Sequence, residues 1–97
     1  MEAHKWTTTD NISGWCFQRV RSDGNTTYNV YDESIRWTSY GLPTICLGWI
    51  SRRGRGEQWE ARFSNGNARR YCDPSVGHYD SRKDAAVALR ERFLAPA

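Results

Sequence analysis

The chain alternates short apolar stretches with polar turns, and only its last quarter carries a helical period. Residues 15–21 (WCFQRVR) and 26–32 (TTYNVYD) are rich in β-branched and aromatic side chains and read as two strands. Between them, Ser22-Asp23-Gly24-Asn25 holds the Asp-Gly pair of a tight hairpin. A third strand is expected at 45–52 (ICLGWISR), with Ile45, Leu47 and Trp49 alternating onto one face. The cleanest alternation is 58–63 (QWEARF). There Trp59, Ala61 and Phe63 face one way, and Gln58, Glu60 and Arg62 the other.

Asn65-Gly66 is a second hairpin signal. A two-residue turn there pairs Phe63 with Ala68 and Trp59 with Cys72, and sets Arg62 opposite Arg69. Residues 73–80, with Pro74 and Gly77, read as a loop. Ser81 then stands as an N-cap, with Asp84 three residues on. Ala85, Ala86, Leu89 and Phe93 make one apolar helical stripe, while Arg82, Lys83, Arg90 and Arg92 lie off it.

The expected architecture is α+β: an antiparallel sheet of four or five strands with one C-terminal helix packed on one face. It is read as a single domain over 1–97, with an irregular N-terminal arm at 1–14, antiparallel strands over 15–72 and the helix at 81–94. Trp49 and Trp59 are expected in the core. The sheet face away from the helix is then the place for function.

Composition sharpens this in a few respects. An aromatic content of 13% separates the chain from disordered sequences despite a mean hydropathy of −0.82. No apolar run approaches the roughly 20 residues of a membrane span. Residues 1–10 are polar, so neither a secretory signal nor membrane insertion is expected, and the expected location is cytoplasmic. Cys16, Cys46 and Cys72 are widely spaced and odd in number, which makes no disulfide framework. With His78 they match no common zinc finger, so free thiols, no metal and no cofactor are expected. His4 and His78 follow no nucleophile motif, and no glycine-rich phosphate loop is present. The chain reads as non-enzymatic, with no small-molecule substrate.

Charge is the more informative quantity. The net charge is +3, but residues 1–47 hold four basic and five acidic side chains, and residues 48–97 hold ten and six. Nearly all the positive charge is arginine, whose planar fork matches phosphates and guanine edges. Arg52, Arg53 and Arg55, spaced by Gly54 and Gly56, have two readings: a phosphate clamp, or a solvated hairpin loop kept soluble by charge. Arg62, Arg69 and Arg70 form a second basic group, because strand alternation and hairpin register can align two of them.

From Leu47 onward the succession is a strand, an Arg/Gly loop, Trp59-Glu60-Ala61-Arg62-Phe63, a turn, Arg69-Arg70-Tyr71, then Tyr79-Asp80-Ser81-Arg82-Lys83-Asp84-Ala85-Ala86. This resembles the three-stranded-sheet-plus-helix DNA-binding domains, namely the AP2 domain and the arm-binding domains of tyrosine integrases. It is also similar to small sheet-and-helix accessory proteins of phages and actinobacteria. The first resemblance implies a sheet that enters the major groove of duplex DNA, with Arg and Trp side chains of its outer face on bases and phosphates. By position it implicates Arg52 and Arg53 on the first strand, Arg62 on the second, and Arg69 and Arg70 on the third. Glu60 departs from a phosphate-facing surface, and residues 1–46 lie outside the match. The alternative partner is a host protein or a second copy, met through exposed aromatics among Trp6, Trp15, Trp37 and Tyr40 and a free sheet edge.

Overall fold

The computed structural model describes residues 9–12, 15–20, 24–32, 45–66 and 69–95. In chain order these form β1 (Thr9–Ile12), β2 (Trp15–Val20), β3 (Thr26–Asp32), β4 (Cys46–Arg52), β5 (Trp59–Phe63), β6 (Ser75–Tyr79) and α1 (Arg82–Leu94). The strands pair in sequence order, each antiparallel to the next, as one sheet. The helix packs on β4, β5 and β6. The α+β class, the antiparallel sheet and the C-terminal helix are thus as the pattern predicts. No helix among the described residues is long and apolar enough to cross a membrane.

The sheet reaches six strands because two segments without a strand signature join its edges. Thr9–Ile12 lies in the stretch read as an irregular arm, yet it pairs with β2 from Thr9↔Gln18 to Ile12↔Trp15. Ser75–Tyr79 lies in the stretch read as a loop, yet it pairs with β5. Edge positions tolerate short, polar, Gly-containing segments, since only one side needs ladder partners. β2 and β3 form the expected hairpin, paired from Trp15↔Asp32 to Val20↔Thr27, and Gly24 takes the positive φ of 74° that its turn requires. Asp23 is outside the described residues.

Alternation in β2, β3 and β5 sends one set of side chains toward the helix. Trp15, Phe17, Val30, Leu47, Ile50, Trp59 and Ala61 meet Ala85, Ala86 and Leu89 there in one core. Trp59 and Ala61 therefore sit as expected, and Phe63 packs against the same core. The pattern fails in β4. Val30 pairs with Gly48 and Tyr31 with Cys46, so Leu47 is the extra residue of a bulge. Leu47 then joins the helix-side core, while Cys46 packs with Cys16 and Tyr31 on the other face. Trp49, two residues past the bulge, pairs with Arg62 on the face away from the helix. It is buried as expected, but not in the main core.

The helix begins as its sequence dictates. The Ser81 hydroxyl accepts from the Asp84 backbone N–H at 3.0 Å, and Ala85 N–H reaches the Ser81 carbonyl at 3.1 Å. Replacing Ser81 by Ala strands that first-turn N–H, and chemical denaturation is expected to show a loss of about 1 kcal/mol. Small residues at 85 and 86 bring the helix close to the sheet. Its arginines lie over the aromatic margin of the core. Arg82 is 5.4 Å from the Phe17 ring and 5.1 Å from Tyr28, Arg90 is 4.9 Å from Trp15, and Arg92 is 5.4 Å from Phe63. A planar, weakly hydrated guanidinium stacks on a ring more readily than a strongly hydrated lysine ammonium. Part of the preference for arginine in this chain is therefore structural.

Candidate nucleic-acid interface

The candidate face is the side of β4–β6 turned away from the helix. Register places two rows of side chains on it. One runs Gln18, Asn29, Trp49, Arg62; the next runs Thr27, Ser51, Glu60, His78. The first half of the chain does not lie across this face through its strands. β3 pairs with the far edge of β4, so β1–β3 extend the sheet sideways.

The expected arginines divide. Arg62 and Arg69 do converge: their guanidinium carbons lie 5.7 Å and 5.2 Å from the Trp49 ring centre. They reach it by a route different from the expected hairpin. Opposite Arg62 is Ser75, opposite Trp59 is Tyr79, and Phe63 N–H bonds the Pro74 carbonyl at 2.9 Å. The pairing of Trp59 with Cys72 is therefore not formed, and the expected pairing of Phe63 with Ala68 falls on a residue outside the described ones. The turn is present, with φ of 51° at Asn65 and 81° at Gly66. It hugs β4 instead of starting a strand, with Gly66 N–H on the Cys46 carbonyl at 2.8 Å and Ser64 N–H on Leu47 at 3.0 Å.

Asp73 explains the rerouting. Its Oδ2 accepts from Trp49 Nε1 at 3.0 Å, from the Ser64 hydroxyl at 2.8 Å and from the Arg70 backbone N–H at 2.9 Å. The Arg62 guanidinium donates to the Asp73 carbonyl at 3.0 Å. Burial alone raises the Asp73 pKa. Its hydrogen bonds from Arg70, Ser64 and Trp49, together with the Arg70 charge, outweigh that and hold the carboxyl below the usual value. This carboxylate clamps residues 69–74 onto Trp49 and puts Arg69 beside Arg62. Three bonds to one charged oxygen outweigh the continuation of a polar strand.

Arg52 reaches this face only where it borders the larger groove; its guanidinium turns away. It follows Ile50 in alternation and stacks over the helix-side Trp59 ring at 4.5 Å. Arg53 and Arg55 are exposed on the loop after β4, where Glu57 N–H closes a turn on the Gly54 carbonyl at 3.2 Å. Arg70 is exposed beyond Arg69. Of the aromatics expected at a protein interface, Trp15 is only 3% exposed in the core and is inaccessible to a partner. Trp6, Trp37 and Tyr40 lie outside the described residues.

Two connected grooves mark the face. One, of about 220 Å³, is lined by Asn25, Thr27, Trp49, Ser51, Glu60, Arg62, Arg69 and Tyr71. The other, of about 320 Å³, shares Asn25, Ser51 and Glu60 and adds Arg52, Arg53, Glu57, Gln58 and His78. Glu60 Oε2 accepts from Arg62 Nη2 at 3.3 Å. Tyr71 is 86% exposed, and Arg69 lies 5.8 Å from its ring centre. Sequence reasoning misses Tyr71, Ser51 and Thr27 as site residues. Tyr71 stands next to the Arg69-Arg70 pair, the one signal in the sequence. Ser51 and Thr27 enter only through cross-strand register.

The cysteines contribute no site chemistry. Cys16 and Cys46 are buried, Cys72 is exposed, and none of the three is in a disulfide. Burial pushes the Cys46 thiol up to about 11, and burial with the neighbouring Cys46 and Cys16 raises the Tyr31 hydroxyl as well. Among the described residues no cluster of His, Cys, Asp and Glu is placed to hold a metal. Compared with protein-family models, curated proteins and solved structures, the chain matches none, so its function is read from this face.

Proposed function

We propose that this is a non-enzymatic nucleic-acid-binding protein whose contact surface is the outer face of β4–β6 with the Arg53–Gly56 loop. The observation that carries the reading is the convergence of Arg62 and Arg69 on Trp49, beside an exposed Tyr71, on the face opposite the helix. Arg53, Arg55 and Arg70 add exposed charge around it. The same face is the one that the resemblance to sheet-and-helix DNA-binding domains implies. Affinity then comes chiefly from phosphates and falls steeply with salt.

The roles within the arginine set differ. Arg62 is tied to the Asp73 carbonyl and to Glu60, so it shapes the face as well as charging it. Arg53 and Arg55 are exposed and leave the fold intact when removed, whereas the Arg70 charge also favours the Asp73 carboxylate. Fluorescence anisotropy on a random oligonucleotide should show binding at about 50 mM salt that weakens sharply by about 200 mM. The double variant Arg53→Ala, Arg55→Ala should keep the wild-type melting temperature. Its salt slope should drop by about 0.7 to 0.9 for each phosphate that is no longer neutralised. A wild-type protein that binds no nucleic acid at the lower salt would overturn the proposal.

A further inference from the structure

Resting on the nucleic-acid reading of this face, we infer that its ligand is a single-stranded segment, and that the groove under Tyr71 takes an unpaired base. Three observations carry this. The first is width. Six strands at about 4.8 Å spacing make a surface about 24 Å across. The major groove of duplex DNA is about 12 Å wide and admits a two-stranded ribbon. β1–β3 continue the plane of β4 and obstruct flat insertion of β4–β6 into a duplex. A flexible single strand needs no such clearance. It can follow the part of the face around the two grooves, since Cys16, Tyr31 and Cys46 farther along the same face are buried.

The second observation is Glu60. It lines both grooves, opposite Ser51 and His78 in register and within reach of the Arg62 guanidinium. A carboxylate in the middle of the face repels phosphate but accepts from a base amino group such as cytosine N4. The arginines stand around it: Arg53 at the end of β4 and Arg69 beside Trp49. This division sends phosphates to the rim and a base edge to the centre. In B-form DNA the base edges lie between two phosphate backbones; a single strand can turn one base inward alone.

The third is Tyr71. A large aromatic left 86% exposed, with an arginine over its ring, is a stacking platform that accepts any base. It stands at the wall of the groove that holds Glu60, Ser51 and Thr27. A base on Tyr71 therefore has its edge within a groove that offers the Glu60 carboxylate and the Ser51 hydroxyl.

The test is a set of anisotropy titrations with a labelled mixed-sequence single strand of about 20 nucleotides and with its perfect duplex, both at about 50 mM salt. The single strand should bind at least about fivefold more tightly, the low end of one stacking interaction. Tyr71→Ala should weaken single-strand binding by about 5- to 150-fold, while Tyr71→Phe stays near wild type. Because Tyr71 is exposed, neither change should move the melting temperature. Wild type should prefer oligo-dC to oligo-dT, and Glu60→Gln, which can donate to thymine O4, should narrow that preference. Equal or tighter binding of the duplex overturns the inference and leaves the nucleic-acid reading in place. An unaffected Tyr71→Ala variant overturns the stacking site. Absence of binding to either ligand overturns the nucleic-acid reading itself.

Discussion

Gly48→Ala should be the most damaging single substitution of one hydrogen by a methyl group in this protein. A Cβ at position 48 overlaps the Arg62 carbonyl oxygen and stands 2.8 Å from Leu89 Cδ2. One of these neighbours is backbone of the adjacent strand, and the other is a fully buried side chain of the helix. Neither can give way alone. Moving β5 breaks its ladder with β4, and moving Leu89 opens the helix–sheet core. Overpacking of this kind costs about 3 kcal/mol or more when backbone must shift. For a chain of this size that lowers the melting temperature by more than roughly 12 °C. Gly54→Ala is the matched control. Nothing lies within 4 Å of its new Cβ and its φ is not positive, so its melting curve should overlay the wild type. Equal melting temperatures for the two variants would contradict this account of β4–helix packing.

Asp73→Ala should follow closely. It strands three donors at once: Trp49 Nε1, the Ser64 hydroxyl and the Arg70 N–H. Water can recover some of these, so the expected loss is about 3 kcal/mol, of the order of one or two bonds to a charged group. The effect carries a pH signature. The folded state holds the Asp73 carboxyl below its ordinary value, about 3.9 in an unfolded chain. A lowered folded pKa contributes stability that is fully present above the unfolded value and is lost as pH falls through the folded one. Urea unfolding of wild type and Asp73→Ala should thus differ most near pH 7 and converge in acid. A difference that stays constant down to pH 2 would show that Asp73 acts through shape alone. Loss of Asp73 also releases residues 69–74, so nucleic-acid binding through Arg69 and Tyr71 should weaken with it.

Local pattern made much of this molecule legible. The β2–β3 hairpin, β5 and the capped helix rest on short-range chemistry: β-branched alternation, an Asp-Gly turn, Ser81 with Asp84, and a stripe at helical spacing. What it misassigned depends on contacts between distant residues. The Asn65-Gly66 turn is locally right, and its φ values are those the pair favours. Its usual consequence, a strand paired back along β5, is overridden by a carboxylate eight residues later that bonds a tryptophan on β4. The two arginines were expected together as ladder partners; they meet instead over Trp49, which an alternation argument alone assigns to the wrong face. A one-residue bulge at Leu47 suffices for that, because every side chain beyond it changes side.

The sequence by itself determined the elements with strong periodicity, the helix start and the excess of arginine in the second half. These follow from propensities and charges that each residue carries with it. The tertiary structure alone decided which arginines share a face. Arg62 and Arg69 meet because Asp73 clamps a loop, whereas Arg52 faces the helix side because it alternates with Ile50. It also decided that β1 and β6 are strands. An edge strand is specified by the backbone groups of its neighbour, and its own side chains carry little record of them.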